Sequence, residues 1–182
     1  MAKKRTEKGL ETVEIDILSK MKRAQTHMVF IVIPRFNITT LITMIETLRV
    51  ANYLAPTALF SWEVASFDGT KITASNGMTA TVRMANDKVQ KADFVFILGS
   101  WGTEHYTNRS LTAWLRKRAR AGERICGVEL GSYIVARAGL LDGKPATTHW
   151  SWLNGFKENF DRVDVQELSL IHISEPTRPM NI

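Results

Sequence analysis

Short β-branched runs alternate along the chain with stretches whose apolar residues recur every third or fourth position. "MVFIVI" (Met28–Ile33) predicts a buried strand, closed by Pro34. Ile38, Leu41, Ile42, Ile45 and Leu48 then fall at helical spacing and predict an amphipathic helix to about Leu54. "FSWEVASF" (Phe60–Phe67) alternates as a strand does and ends at the turn pair Asp68-Gly69. "KITASNGMTATV" predicts a short hairpin around Asn76-Gly77. "DFVFILG" (Asp93–Gly99) is a second fully apolar strand. Leu111, Trp114 and Leu115 mark the inward stripe of a helix over Ser110–Ala121, with Arg116, Lys117, Arg118 and Arg120 as its solvated face. "RICGVEL" (Arg124–Leu130) predicts a third central strand and Ser132–Ala138 the helix after it. A further helix is expected to begin near His149 or Trp150.

This alternation predicts an α/β fold with a mainly parallel sheet covered by helices on both faces. In such sheets ligands bind outside the carboxyl ends of the strands. Those ends are Pro34–Thr40, Gly99–Thr103 and Glu129–Ser132.

Composition narrows the picture modestly. A chain of 182 residues with 45% hydrophobic content suits one domain with a proper core. No apolar run approaches the roughly 18 residues a membrane span needs, so no membrane partner is expected. The single Cys126 cannot form an internal disulfide, which suits a reducing cytoplasm. No second His or Cys stands at metal-ligand spacing, so neither a metal nor a cofactor is expected. The net charge of +6 permits contact with nucleic acid without requiring it. Neither "MAKKR" nor "RKRARAG" carries the interleaved aromatics of a nucleic-acid surface, so no DNA-binding residues are expected in this chain.

The ends read differently from the middle. Residues 1–25 form a charged extension with a weak helical pattern at Leu10, Val13, Ile17 and Met21. Residues 168–182 open with "LSLIHISEPTR", which reads in one frame as a transposase end joined to a sequencing-library adaptor. A non-native tail is therefore expected there, with the domain occupying residues 26–167 and incomplete at its C-terminal side.

The candidate chemistry lies in "GVELGSYIVARAGLLDGKPATTHW" (Gly127–Trp150), where a strand meets a helix at a sharp elbow with Glu129 at its apex. Together with "IETLRVAN" (Ile45–Asn52), "ASNGMT" (Ala74–Thr79), "LTAWLRKRARAG" (Leu111–Gly122), "ARAGLLDG" (Ala136–Gly143) and "TTHW" (Thr147–Trp150), it resembles the ThiJ/PfpI branch of the class I glutamine amidotransferase-like domains. More narrowly, it resembles the N-terminal domain of AraC-type transcription regulators of the GlxA kind, over roughly Met28 to Gln166. The resemblance implies a flavodoxin-like three-layer α/β/α sandwich that senses a ligand. It also implies a helix-turn-helix DNA-binding part beyond this chain, a small-molecule effector and a homodimer.

Departures from the family pattern bear on catalysis. The resemblance implies a cysteine at the elbow of the enzymes, where this chain has Glu129, and an acid near the first strand's end, where it has Thr40. A carboxylate is a poorer nucleophile than a thiolate for acyl chemistry. Cys126, an odd number of positions from Glu129, faces the other side of the sheet and is expected to fill the core. The chain is therefore expected not to be an enzyme, the alternative being a stand-alone hydrolase or amidase of the same kind.

Two roles stand open for Glu129. It accepts N–H bonds at the start of the following helix, or it supplies the counter-charge for a cationic effector. The second follows the resemblance, since some regulators of this kind respond to quaternary amines such as betaine or carnitine. Trp101 would add a cation–π face. Candidate ligand contacts are Glu129, Leu130, Gly131, Trp101, Gly102, Thr40, His149 and Trp150. Gly131 is expected to permit the tight elbow, and Glu46 to pair with Arg49 within the first helix.

Overall fold

A computed structural model describes residues 25–85 and 89–167. The helical pattern of the N-terminal extension and the expected foreign tail lie outside the described residues.

Strand β1 (Thr26–Val32) leads through Pro34 into helix α1 (Ile38–Leu54) and then β2 (Phe60–Ser66). A hairpin of β3 (Lys71–Thr73) and β4 (Thr79–Thr81) follows, with Gly77 at φ +87° in its turn. Next come β5 (Arg83–Met84), β6 (Phe94–Gly99), α2 (Arg109–Arg120), β7 (Arg124–Glu129) and α3 (Gly131–Arg137). The chain continues through β8 (Pro145–Ala146), a 3-10 turn (Trp150–Trp152), α4 (Leu153–Asn159) and β9 (Asp164–Val165).

The main sheet has the order β5-β2-β1-β6-β7, and its pairings are all parallel. Successive strands from β1 are laid down first to one side and then to the other, so the strand order reverses between β1 and β6. A crevice opens outside the carboxyl ends at such a reversal. Alternation along each strand feeds two cores. Val29, Ile31, Val95 and Ile97 pack against Leu111 and Leu115 of α2 and Ile134 and Val135 of α3. Phe30, Val32 and Leu98 face the other way, onto Leu41 and Leu48 of α1. These are the three layers of a flavodoxin-like α/β/α fold. No helix among the described residues is long and apolar enough to cross a membrane.

Several expectations change in detail. Ile42 is half exposed, because α1 covers the sheet with a narrower stripe than the spacing suggested. Arg118 does not face solvent: it folds over the Trp114 ring at 4.7 Å and pairs with the buried Glu123 at 2.7 Å. Its guanidinium also donates to the Val89 and Gln90 carbonyls, anchoring the segment before β6. Cys126 is only partly buried, because β7 is the sheet's edge strand among the described residues. The Glu46–Arg49 pair forms as expected, at 2.7 Å.

Candidate functional site

The elbow is built by close packing. Glu129 ends β7 with φ +51°, a left-handed conformation that costs a residue with a side chain about 1–2 kcal/mol. Glycines on either side let α3 settle onto β6 and β7. A Cβ on Gly131 would lie 1.9 Å from the Ile97 carbonyl oxygen, and one on Gly127 would lie 2.6 Å from the Ser132 backbone. Gly131 thus permits the approach, as expected, while Glu129 itself carries the strained turn. The Glu129 carbonyl oxygen lies 3.0 Å from the Ser132 hydroxyl and 3.4 Å from that of Thr148, and the two hydroxyls are 2.8 Å apart.

The Glu129 side chain does not cap the helix that follows it; α3 has no side-chain cap. Its Oε1 accepts instead from Thr40 Oγ1 at 2.8 Å and from Asn37 Nδ2 at 2.9 Å, both across the crevice at the start of α1. Of the two roles left open for Glu129, accepting N–H bonds from its own helix is therefore not the one its side chain takes. From a turn at φ +51° the carboxylate reaches the first turn of α1 instead.

Asn37 was not among the expected residues. It is the N-cap of α1, its Oδ1 accepting from the Thr39 and Thr40 amides at 3.0 and 3.3 Å. With Oδ1 engaged by N–H donors, the amide NH2 must point to Glu129, which fixes the orientation of the side chain. The signal was present in the sequence, since an Asn immediately before the first periodic residue of a helix is an N-cap signature.

A cleft of about 340 Å³ lies over this carboxylate. Its walls come from Asn37, Ile38 and Thr39 at the start of α1, Ser100 and Trp101 after β6, and Glu129 and Leu130 at the end of β7. Ser75 and Asn76 from the β3–β4 hairpin and His149 complete it. The three strand ends read from the sequence thus meet in one crevice. Glu129 is the one carboxylate among these wall residues, and no Lys or Arg stands with it. Among the described residues no group of His, Cys, Asp and Glu is arranged to hold a metal ion.

The remaining expected residues separate by position. Trp101 stands on the rim, 63% exposed. His149 lines the cleft, its Nδ1 lying 2.7 Å from the Ser151 hydroxyl and 3.3 Å from the Ser151 amide nitrogen. Thr40 sits behind the wall, acting through its bond to Glu129. Gly131 is buried beneath the elbow. Gly102 and Trp150 do not contribute to the wall: Gly102 turns the rim loop at φ +95°, and Trp150 is 79% exposed. Trp150 starts the 3-10 turn, and one residue beyond His149 its side chain points outward.

Burial raises the Cys126 thiol above its usual pKa, partly opposed by the charge of Arg124. A thiol raised in this way is less ionised and less reactive at neutral pH.

Known proteins share much of this sequence and its fold. Residues 27–166 match the DJ-1/PfpI family. The HTH-type transcriptional regulator CdhR of Pseudomonas aeruginosa is 36% identical over 140 residues, covering 76% of this chain and 41% of the relative. The HTH-type transcriptional regulator GbdR of the same species is 35% identical over 134 residues, covering 74% of this chain and 36% of the relative. The chain therefore spans about two fifths of the length of these curated relatives. An AraC family transcriptional regulator from Pseudomonas putida shares the fold, with a TM-score of 0.70 at 20% identity over 79% of this chain and 77% of that one.

Proposed function

The chain belongs to the DJ-1/PfpI family, and from that premise we propose that it is the ligand-sensing, non-catalytic part of an AraC-type transcription regulator. Its effector is a small cationic amine, with a quaternary ammonium group as the preferred chemistry. DNA is contacted by a helix-turn-helix part outside this chain, and the intact regulator works as a homodimer. The names of the relatives, all HTH-type regulators, support the regulatory reading.

One observation carries the effector class. A carboxylate is held by two neutral donors in a cleft whose other walls are uncharged or imidazole, and an exposed indole stands at the rim. A fixed negative charge without a cationic partner attracts a cation, and the indole face adds about 0.5–2 kcal/mol for a cation over it. A quaternary ammonium group needs no hydrogen-bond acceptor, so it fits a site offering charge and an aromatic face. To regulate, the effector must bind two states of the domain with different affinity.

The same geometry tells against acyl-transfer chemistry. The elbow side chain is a carboxylate already accepting two hydrogen bonds, and the chain's one thiol stands three positions earlier in β7, its pKa raised by burial.

Calorimetric titration with tetramethylammonium, choline, carnitine and uncharged 3,3-dimethylbutan-1-ol tests the reading. Wild type is expected to bind the cations and discriminate against the alcohol, and Glu129→Gln to weaken cation binding by about tenfold or more, equivalent to about 1.4 kcal/mol. Equal affinity for choline and the alcohol, or unchanged choline affinity in Glu129→Gln, overturns it.

A further inference from the structure

The side chain of Arg137 has no place in the cleft, yet it is committed to the loop that bears Trp101. Its Nη1 donates to the Thr103 carbonyl at 3.1 Å and the Tyr106 carbonyl at 2.7 Å, and its Nη2 donates to the Glu104 carbonyl. An arginine in the last turn of a helix ordinarily serves the free carbonyls of that helix. This one crosses instead to another segment and lies 5.9 Å from the Tyr133 ring centroid. A planar guanidinium is suited to gathering several carbonyls whose directions differ, and an ammonium is not.

The loop itself is tightly built. Ser100 N donates to Thr103 Oγ1 at 3.0 Å, Gly102 N to Glu104 Oε2 at 2.9 Å, and Thr103 N to the Ser100 carbonyl at 3.0 Å. Trp101 stands between Ser100 and Thr103, so its backbone has little freedom while its indole remains exposed. Thr103 is 1% exposed, and water is poorly placed to replace the donor its carbonyl would lose without Arg137. Helix α3 begins two residues after Glu129 and ends in Arg137, a span of seven residues or about 10 Å. One short rigid element thus carries the charged elbow at one end and holds the aromatic loop at the other.

We propose that Arg137 is a positioning residue that sets the distance and angle between the Trp101 indole and the Glu129 carboxylate. In this way it determines which size of ammonium group the cleft accepts. The proposal rests on reading the cleft as a cation site. Selectivity between a primary and a quaternary ammonium comes from the gap between the indole face and the carboxylate, which Arg137 holds fixed.

The test combines a binding cycle with a ligand-independent measurement. Tetramethylammonium and methylammonium are titrated into wild type, Arg137→Met, Trp101→Ala and the double variant. Arg137→Met is expected to weaken tetramethylammonium by about threefold to tenfold, the range a misaligned cation–π contact gives, with little change for methylammonium. In the Trp101→Ala background the same substitution should have no further effect. Equal weakening in both backgrounds, or equal weakening of both ammonium probes, overturns the proposal. Hydrogen exchange supplies the independent readout: Arg137→Met should speed exchange of the Gly102, Thr103, His105 and Tyr106 amides and leave those of β7 unchanged. If wild type binds no ammonium probe, the cation reading falls and with it the assignment of selectivity, whereas the exchange result still decides whether Arg137 holds the loop. If Arg137→Met does not fold, Arg137→Lys is carried through the same cycle, since it retains the charge and loses the fork.

Discussion

Thr40 donates its hydroxyl hydrogen to Glu129 Oε1 over 2.8 Å, joining the first turn of α1 to the elbow after β7. The family resemblance places an acid near the end of the first strand and a thiol at the elbow. Here the acid stands at the elbow and a neutral hydroxyl opposes it. A carboxylate and a neutral donor are thus bonded across the crevice.

The Thr40–Glu129 bond should be measurable as a coupling. Thr40→Val keeps the shape of the side chain and removes its donor, and hydrogen bonds to charged groups contribute about 1.5–3 kcal/mol. Urea denaturation is expected to show a loss of about 1–3 kcal/mol in the wild-type background. In the Glu129→Ala background the loss should shrink to a few tenths, because the acceptor is gone. Equal losses in both backgrounds would mean that Thr40 acts by packing alone.

Asn37 supports α1 and the carboxylate with opposite ends of one amide. Aspartate caps helices about as well as asparagine does. Asn37→Asp nevertheless replaces the NH2 that donates to Glu129 over 2.9 Å with a second carboxylate oxygen. Two carboxylates at that distance resist joint ionisation, so a pKa of the pair rises in the folded state. A raised folded pKa means the folded state binds more protons, so the variant's stability deficit is largest at neutral pH and shrinks as pH falls toward 4–5. Thermal melts of wild type and variant across pH 4.5–7.5 should converge at the acid end; a constant gap would refute the repulsion.

The elbow conformation makes a separate demand. At φ +51° Glu129 occupies the left-handed region, where a Cβ is costly and glycine is at ease. Comparing Glu129→Ala with Glu129→Gly isolates that cost, since neither bears a carboxylate. Glycine is expected to be the more stable by about 1 kcal/mol in chemical denaturation, despite its greater freedom in the unfolded chain. Alanine equal to or better than glycine would indicate that the backbone has moved out of the left-handed region.

Much of this was legible because the elements that place the site are long and strongly patterned. The helix Ile38–Leu54 follows from apolar spacing, and the hairpin around Asn76-Gly77 follows from a turn pair that accepts positive φ. The two-residue strands β5, β8 and β9 were not legible, because alternation cannot be recognised over so short a run. Side-chain destinations were also hidden. Periodicity gives the direction of the Cα–Cβ bond, but a long arginine can turn back along the surface, as Arg118 does to reach Glu123. Within the cleft, Glu129 and Trp101 could be placed by the strand-end rule. The meeting of Asn37 with Glu129, 92 positions apart, depends on how the start of α1 meets the elbow after β7. Trp150 shows the reverse error: adjacency to His149 in sequence does not bring its indole to the wall.

The rim loop carries a pH dependence that can be read independently of any ligand. Burial raises the Tyr106 phenol well above its usual value, and its hydrogen bonds to Asp68 at 2.8 and 3.0 Å add to the effect. The unfolded chain releases that proton near pH 10, whereas the folded chain retains it. Above pH 10 the unfolded state therefore binds fewer protons than the folded state, and stability falls as pH rises. The contribution is complete below pH 10 and is lost progressively toward the raised folded value. Tyr106→Phe removes both the proton and the bond to Asp68. It should be less stable than wild type at pH 8 and lose less stability between pH 9 and 11. Urea denaturation at pH 8, 9, 10 and 11 measures both effects, and parallel decline of the two proteins over that range would show that the steep alkaline loss arises elsewhere.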